Sequence, residues 1–154
     1  MYYPVFLDLQ GKEVLVVGAG KVALRKVRGL LEAGARVKVV SPEAETEFRQ
    51  LEGVEWQARR FERSDVRGKA LVFAATNDRE VNRAVGEEAA ALGIWANVAD
   101  APEEGGFIVP SRVRRGDLQV AVSTSGRSPR IAASLRERIA ALLDEQNDRG
   151  IERW

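Results

Sequence analysis

A β-branched run, Glu13-Val14-Leu15-Val16-Val17, passes directly into Gly18-Ala19-Gly20-Lys21-Val22-Ala23, and a helical pattern follows at once. A buried strand, two glycines one residue apart and a small residue three further on constrain the fold more than any other feature of the chain. They are the G-x-G-x-x-A form of a dinucleotide-binding βαβ unit. Gly18 permits the tight turn after the strand. Gly20 lets a pyrophosphate approach the backbone, and Ala23 lets the helix lie close to the strand. Lys21 and Val22 open the helix, whose free N–H groups and positive dipole end favour phosphate. An apolar face of Val22, Ala23, Val27, Leu30 and Leu31 runs up to Ala33-Gly34. A second β-branched run, Val37-Lys38-Val39-Val40, then completes the unit.

The 154-residue sequence as a whole narrows the chemistry by what it lacks. It has no cysteine, which excludes disulfides, thiol catalysis and iron–sulfur ligation, and no histidine, the commonest general base and metal ligand. Acid–base work falls to Asp, Glu, Lys or Tyr, and no resident metal is expected. A net charge of +1 gives no general argument for nucleic acid or membrane binding. No apolar run approaches the roughly 20 residues that span a bilayer. The first residues, Met1-Tyr2-Tyr3-Pro4-Val5, lack the basic start of a secretory signal, so a cytoplasmic location is expected.

Strand and helix signals alternate through the first hundred residues. After the first βαβ unit come a short polar helix at 44–51, an alternating strand at 54–58 and a charged connection at 61–68. The continuous apolar run Ala70-Leu71-Val72-Phe73-Ala74-Ala75 reads as a central parallel strand covered on both faces. A helix at 79–92 and a strand at 94–98 follow. The fold class is therefore α/β: a Rossmann-like, doubly wound parallel sheet over residues 1–100. From 101 to 154 the pattern becomes a hairpin and a helix. Phe107-Ile108-Val109-Pro110 and Leu118-Gln119-Val120-Ala121-Val122 read as two strands joined through Arg114-Arg115-Gly116-Asp117. Ser128-Pro129 opens the last helix, with an apolar stripe of Ile131, Ala132, Leu135, Ile139, Leu142 and Leu143. The tail at 144–154 is polar and expected to fray. A hairpin and one amphipathic helix are too little to fold alone, so this segment either packs on the sheet or pairs with its copy in a homodimer, the preferred reading.

In a doubly wound sheet, ligands bind at the carboxyl ends of the strands. Four ends are readable: Gly18 to Val22, Ser41-Pro42, Thr76-Asn77-Asp78 and Asn97-Val98-Ala99-Asp100. Ser41 stands where an acid ordinarily meets the ribose hydroxyls. No arginine follows immediately to favour a 2′-phosphate, so NAD is preferred to NADP. Ser41-Pro42 reads equally as a turn. Thr76 and Asn77 are candidates for ribose or nicotinamide contacts, with helix capping the alternative. Asp100 lies where a nicotinamide ring would sit, and partial burial there would suit it as a base; an Asp-Ala-Pro turn is the plainer reading. Arg112, Arg114, Arg115, Arg127 and Arg130 concentrate positive charge around Ser123-Thr124-Ser125-Gly126-Arg127-Ser128-Pro129, suited to a ligand with several carboxylates or else simply solvated. Aromatic residues are not interleaved with them, so nucleic acid fits poorly.

Read in order, Tyr3-Pro4-Val5-Phe6-Leu7-Asp8-Leu9, the stretch from Val16 to Lys26, Ala74-Ala75-Thr76-Asn77-Asp78, Asn97-Val98-Ala99-Asp100-Ala101-Pro102, Phe107-Ile108-Val109-Pro110-Ser111 and Ser125-Gly126-Arg127-Ser128-Pro129 form a series. It resembles the precorrin-2 dehydrogenase/sirohydrochlorin ferrochelatase family, the N-terminal module of siroheme synthase. The resemblance implies NAD-dependent oxidation of precorrin-2 to sirohydrochlorin in siroheme or cobalamin synthesis. It also implies a homodimer formed through the hairpin and last helix. Asp100 matches the aspartate assigned to catalysis in the family, and Ser128 a serine near the tetrapyrrole pocket, where Arg112, Arg127 and Arg130 would meet substrate carboxylates. Family members commonly continue into a further helical segment, and bifunctional ones into a methyltransferase domain. With this chain stopping at Trp154, dehydrogenation is the first expectation and ferrochelatase a second activity. The alternative class is a dimeric NAD-binding sensor without turnover. It gives no reason for the motifs at 97–102 and 125–129.

Overall fold

The computed structural model describes residues 2–148. Five parallel strands form one sheet: β1 (Glu13–Val17), β2 (Arg36–Val40), β3 (Val54–Gln57), β4 (Leu71–Ala74) and β5 (Trp95–Val98), in the order β3-β2-β1-β4-β5. The chain steps outward from β1 to β3, crosses back to β4 and steps outward again. That reversal between β1 and β4 is the topological switch point at which doubly wound sheets hold ligands.

The strands are apolar on both faces because both faces are covered. Val14, Val16, Val37, Val39, Leu71 and Phe73 pack with Ala23, Leu24, Val27 and Leu30 of α1 (Lys21–Glu32). On the opposite face Leu15, Val17, Val40, Val72, Ala74 and Val98 pack with Val66, and with Val85 and Ala89 of α3 (Arg79–Ala91). The alternate residues of each strand thus feed two cores, as the period of two requires. The helix expected at 44–51 contracts to a single turn, α2 (Thr46–Arg49), anchored by buried Phe48. Within the charged connection, Arg63–Val66 forms a 3₁₀ turn closed by reciprocal bonds between Glu62 and Asp65.

The chain divides into two compact units, Tyr3–Phe107 and a second running from Ile108. Residues 101–107 belong with the sheet because they cover the free edge of β5. The Gly106 N–H donates to the Ala96 carbonyl at 2.8 Å, and the Phe107 ring meets Phe73 edge-on at 5.4 Å between centroids. An unpaired edge strand is a liability, and this segment caps it. The same packing explains why Phe107-Ile108-Val109-Pro110 is not a strand, as the hydrophobic run suggests. The hairpin begins later, pairing β6 (Ser111–Arg115) with β7 (Leu118–Val122) in antiparallel register. Gly116, at φ 58°, and Asp117 make its two-residue turn, a conformation that favours glycine.

In the second unit, α4 (Pro129–Asp148) begins where serine and proline place it. The Ser128 Oγ accepts the Ile131 N–H at 3.3 Å. Helix continues through Asp144, which Arg115 grips with both fork nitrogens at 2.6 and 2.9 Å, so fraying does not start there; residues 149–154 of the expected tail lie outside the described residues. Val113 and Ala132 are buried, whereas Ile131 and Leu142 of the stripe are 54% and 59% exposed. Among the described residues no helix is long and apolar enough to cross a membrane.

Candidate functional site

The carboxyl edge of the sheet is held together by backbone bonds that extend its ladders past the strands. Gly18 N donates to Val40 O, Ala75 N to Val17 O and Ala99 N to Ala74 O, each at 2.9 Å. These bonds draw the exits of β1, β2, β4 and β5 to one rim. Gly18 sits at the crossing. Its φ is +105°, and a Cβ there would lie 2.4 Å from the Ala75 carbonyl oxygen, inside van der Waals contact. The glycine therefore does more than permit a turn: it lets the β1 loop pass beneath the β4 loop.

Gly20 plays a different part. A Cβ there would meet nothing within 4 Å, so the space above it is open. As N-cap of α1 it offers no side-chain acceptor to the first helical N–H groups, and no acidic residue stands in that first turn. Lys21 and Val22 are exposed beside it, and Ala23 is fully buried against the sheet. An uncapped helix N-terminus facing open space fits the pyrophosphate of a dinucleotide.

Ser41 is half-buried at the end of β2, followed by exposed Pro42. Its hydroxyl donates to the Glu43 carbonyl at 2.7 Å, and its own carbonyl accepts the Trp56 indole N–H at 3.1 Å. The turn and the ribose contact are compatible, since the donating hydroxyl keeps acceptor capacity. At the end of β4 the three polar residues separate. Asp78 is the cap of α3, accepting from Glu80 N at 2.9 Å and Val81 N at 3.2 Å. Thr76 is bound instead by Asn82, whose Oδ1 accepts the Thr76 N–H and whose Nδ2 donates to the Thr76 carbonyl, both at 3.0 Å. Asn77 is exposed between them. Asn82, fully buried, escapes a reading based on loops; the signal was an amide on the buried stripe of α3, with Val85 and Ala89 at helical spacing.

Asp100 follows β5 on the same rim. Its side chain is 38% exposed, and the Arg79 Nε lies 3.9 Å from its Oδ2; Arg79 also pairs with Glu104. The carboxylate is thus partly covered, and the charge placed beside it is a guanidinium. Just before it, Asn97 is buried and accepts a 2.6 Å bond from Lys26 Nζ. Desolvation lowers the Lys26 pKa to about 8, helped by the charge of Arg25. No group of three or more acidic side chains among the described residues is placed to hold a metal.

The other candidates lie in the second unit. Ser128 heads α4 within a closed loop, exchanging bonds with Thr124, whose Oγ1 accepts the Ser128 N–H at 3.0 Å. Arg127 and Arg130 are exposed on either side of the Ser128-Pro129 step. Arg112 is exposed on β6, and Arg115 is committed to Asp144.

A family model described as putative NAD(P)-binding matches residues 5–111, and one described as the central part of a sirohaem biosynthesis protein matches residues 115–142. The chain is 47% identical over 147 residues to siroheme synthase 1 of Aeromonas salmonicida (strain A449), covering 94% of this chain and 31% of that protein. It is also 47% identical over 145 residues to the siroheme synthase of Thioalkalivibrio sulfidiphilus (strain HL-EbGR7), covering 92% and 30%. The chain thus spans about a third of the length of these curated relatives. Among solved structures it is similar to SirC, a precorrin-2 dehydrogenase, with a TM-score of 0.77 and 31% identity over 91% of this chain and 70% of that one. A glycine cradle at the switch point and a sequence match that continues through the hairpin and helix place the chain in the precorrin-2 dehydrogenase family, to which part of siroheme synthase also belongs.

Proposed function

We propose that this protein oxidises precorrin-2 to sirohydrochlorin with NAD. The observation that carries the reading is the extent of the likeness to a precorrin-2 dehydrogenase: it covers 91% of the chain, well beyond the cofactor fold alone. When bound, NAD supplies the hydride acceptor. The chain's residues supply the rest. The N–H groups of Lys21, Val22 and Ala23 hold the pyrophosphate against Gly20, with Ser41 and Pro42 beside the ribose. Thr76 and Asn77 border the nicotinamide end. Loss of a hydride from one substrate carbon leaves a proton to be removed from its neighbour, and Asp100 accepts that proton as a carboxylate. Arg79 orients the carboxylate and balances its charge. Arg112, Arg127 and Arg130 with Ser128 receive the substrate carboxylates.

The same reading makes the protein a homodimer, because Ile131, Leu135 and Leu142 form an exposed apolar row on α4 that a second copy would cover. It also places the enzyme in the cytoplasm and leaves sirohydrochlorin ferrochelation as a second activity. Precorrin-2 and NAD supplied together should give NADH and sirohydrochlorin, and Asp100→Ala should reduce that rate at least about a hundredfold with NAD affinity retained. An unchanged rate in Asp100→Ala removes the aspartate from the mechanism. Tight NAD binding with no tetrapyrrole turnover in the wild type would make the protein a sensor. Adding cobalt or ferrous iron to the product tests the chelatase.

A further inference from the structure

A lysine stands inside the apolar stripe of α1. Ala23, Lys26, Val27 and Leu30 share one helical face by their spacing, and the other three are buried in the sheet core. The Lys26 ammonium lies 5.3 Å from the centroid of Phe73 and donates to Asn97 Oδ1 at 2.6 Å. The other end of the same amide donates from Nδ2 to the Phe107 carbonyl at 3.0 Å. Phe107 returns to Phe73 through its ring. These groups close a circuit through α1, β4, β5 and the segment that seals the sheet edge.

An apolar side chain at position 26 would complete the stripe without desolvating a charge, so the lysine is a poor choice for stability alone. What it adds is direction. A charge-assisted bond fixes the amide of Asn97, and Asn97 precedes Asp100 in the same β5 exit. At the other end of the circuit, α1 begins at the dinucleotide cradle. We propose that Lys26 is a positioning residue for the dehydrogenation, tying the cofactor-binding helix through Asn97 to the segment that carries Asp100. The inference rests on the function proposed above, and placement errors of about 1 Å are enough to cost large factors in rate.

The experiment compares wild type, Lys26→Met and Lys26→Arg in three measurements: kcat and KM with precorrin-2, NAD affinity by calorimetry, and hydrogen exchange of residues 98–107. In Lys26→Met, kcat should fall about tenfold or more, with NAD affinity and KM changed less than about threefold, and Lys26→Arg should recover most of the loss. Exchange at 98–107 should quicken in Lys26→Met while that of β1 stays as in wild type. A Met variant with wild-type kcat overturns the proposal, even if exchange quickens. So does a loss that follows only the folded fraction and that arginine fails to restore. If the wild type forms no NADH, the proposed function falls, and exchange alone decides the tie: unchanged protection at 98–107 refutes it. Should Lys26→Met not fold, Lys26→Leu, which also lacks a donor, carries the same comparisons.

Discussion

The carboxamide of Asn82 closes on the peptide of Thr76 from both sides, accepting its N–H and donating to its carbonyl at 3.0 Å each. A side chain on α3 thereby completes the backbone bonding of the β4 exit, which would otherwise be left half-paired beside the switch point. Thr76 Oγ1 adds a contact to the same Oδ1 at 2.8 Å.

Removing that clamp should be costly. Asn82→Ala leaves a peptide without partners and a cavity in the core, and we expect a loss of about 2–4 kcal/mol in urea unfolding. Thr76→Val deletes only the hydroxyl and should cost about 1 kcal/mol. If Asn82→Ala unfolds at the wild-type midpoint, the amide is not what holds the loop.

The two glycines of the cradle should respond oppositely. Gly18→Ala puts a methyl 2.4 Å from the Ala75 carbonyl oxygen at a φ of +105°, so it should destabilise the fold by about 2 kcal/mol or more. Gly20→Ala meets nothing within 4 Å and keeps an ordinary extended φ of −88°. Its stability should stay within about 1 kcal/mol of wild type while its methyl occupies the phosphate space and weakens NAD binding about tenfold or more. Thermal melts beside NAD titrations separate the two effects. Gly20→Ala with wild-type NAD affinity would refute the cradle.

Asp65 ties an acid limb to the fold. It is buried, Arg59 grips both its oxygens at 2.5 and 2.8 Å, and Lys38 stands 3.8 Å away. The hydrogen bond from Arg59 holds its pKa below the ordinary 3.8 against the opposing effect of burial. A carboxyl depressed on folding stabilises the protein above its unfolded pKa, and that contribution is lost as pH falls through the lower folded value. Stability should therefore fall with acid below about 3.8, and Asp65→Asn should flatten that part of the curve while lowering stability at neutral pH. Denaturant melts from pH 2 to 7, roughly, would detect both changes.

Lys26 should leave a slope of the same sign at alkaline pH, for a different reason. Its pKa is about 8 when folded and 10.5 ordinarily, so between those values the unfolded chain holds the extra proton. Stability contributed by this group then rises with pH across that window, as the penalty for burying the charge is relieved. The difference in stability between wild type and Lys26→Met should shift in the wild type's favour from pH 8 to pH 10, roughly. A pH-independent difference would mean that the ammonium is as well solvated folded as unfolded.

Much of this molecule is legible in its residues because the signals are local. The run from Val14 to Val17, the glycine pair and the stripe of α1 each depend on neighbours within one turn or one strand, and they predict the βαβ unit directly. Ser128-Pro129 predicts the start of α4 for the same reason. Phe107-Ile108-Val109-Pro110 misleads because its hydrophobicity serves a distant partner: Phe107 is spent on Phe73, and pairing begins at Ser111. Lys26 and Asn82 stand in apolar stripes where a periodic reading treats them as interruptions. Their meaning comes from Asn97 and Thr76, residues on other elements.

The amino-acid order alone therefore determined the α/β class, the glycine loop between β1 and α1, the family resemblance and the absence of thiol and imidazole side chains, since each rests on composition or on spacing along the chain. Tertiary structure alone decided the strand order, the passage of Gly18 beneath Ala75, the sealing of β5 by residues 105–107 and the polar ties of Lys26 and Asn82. Those features depend on which separated elements meet, and burial makes the meeting selective: a polar group removed from water must find a partner wherever the fold brings one.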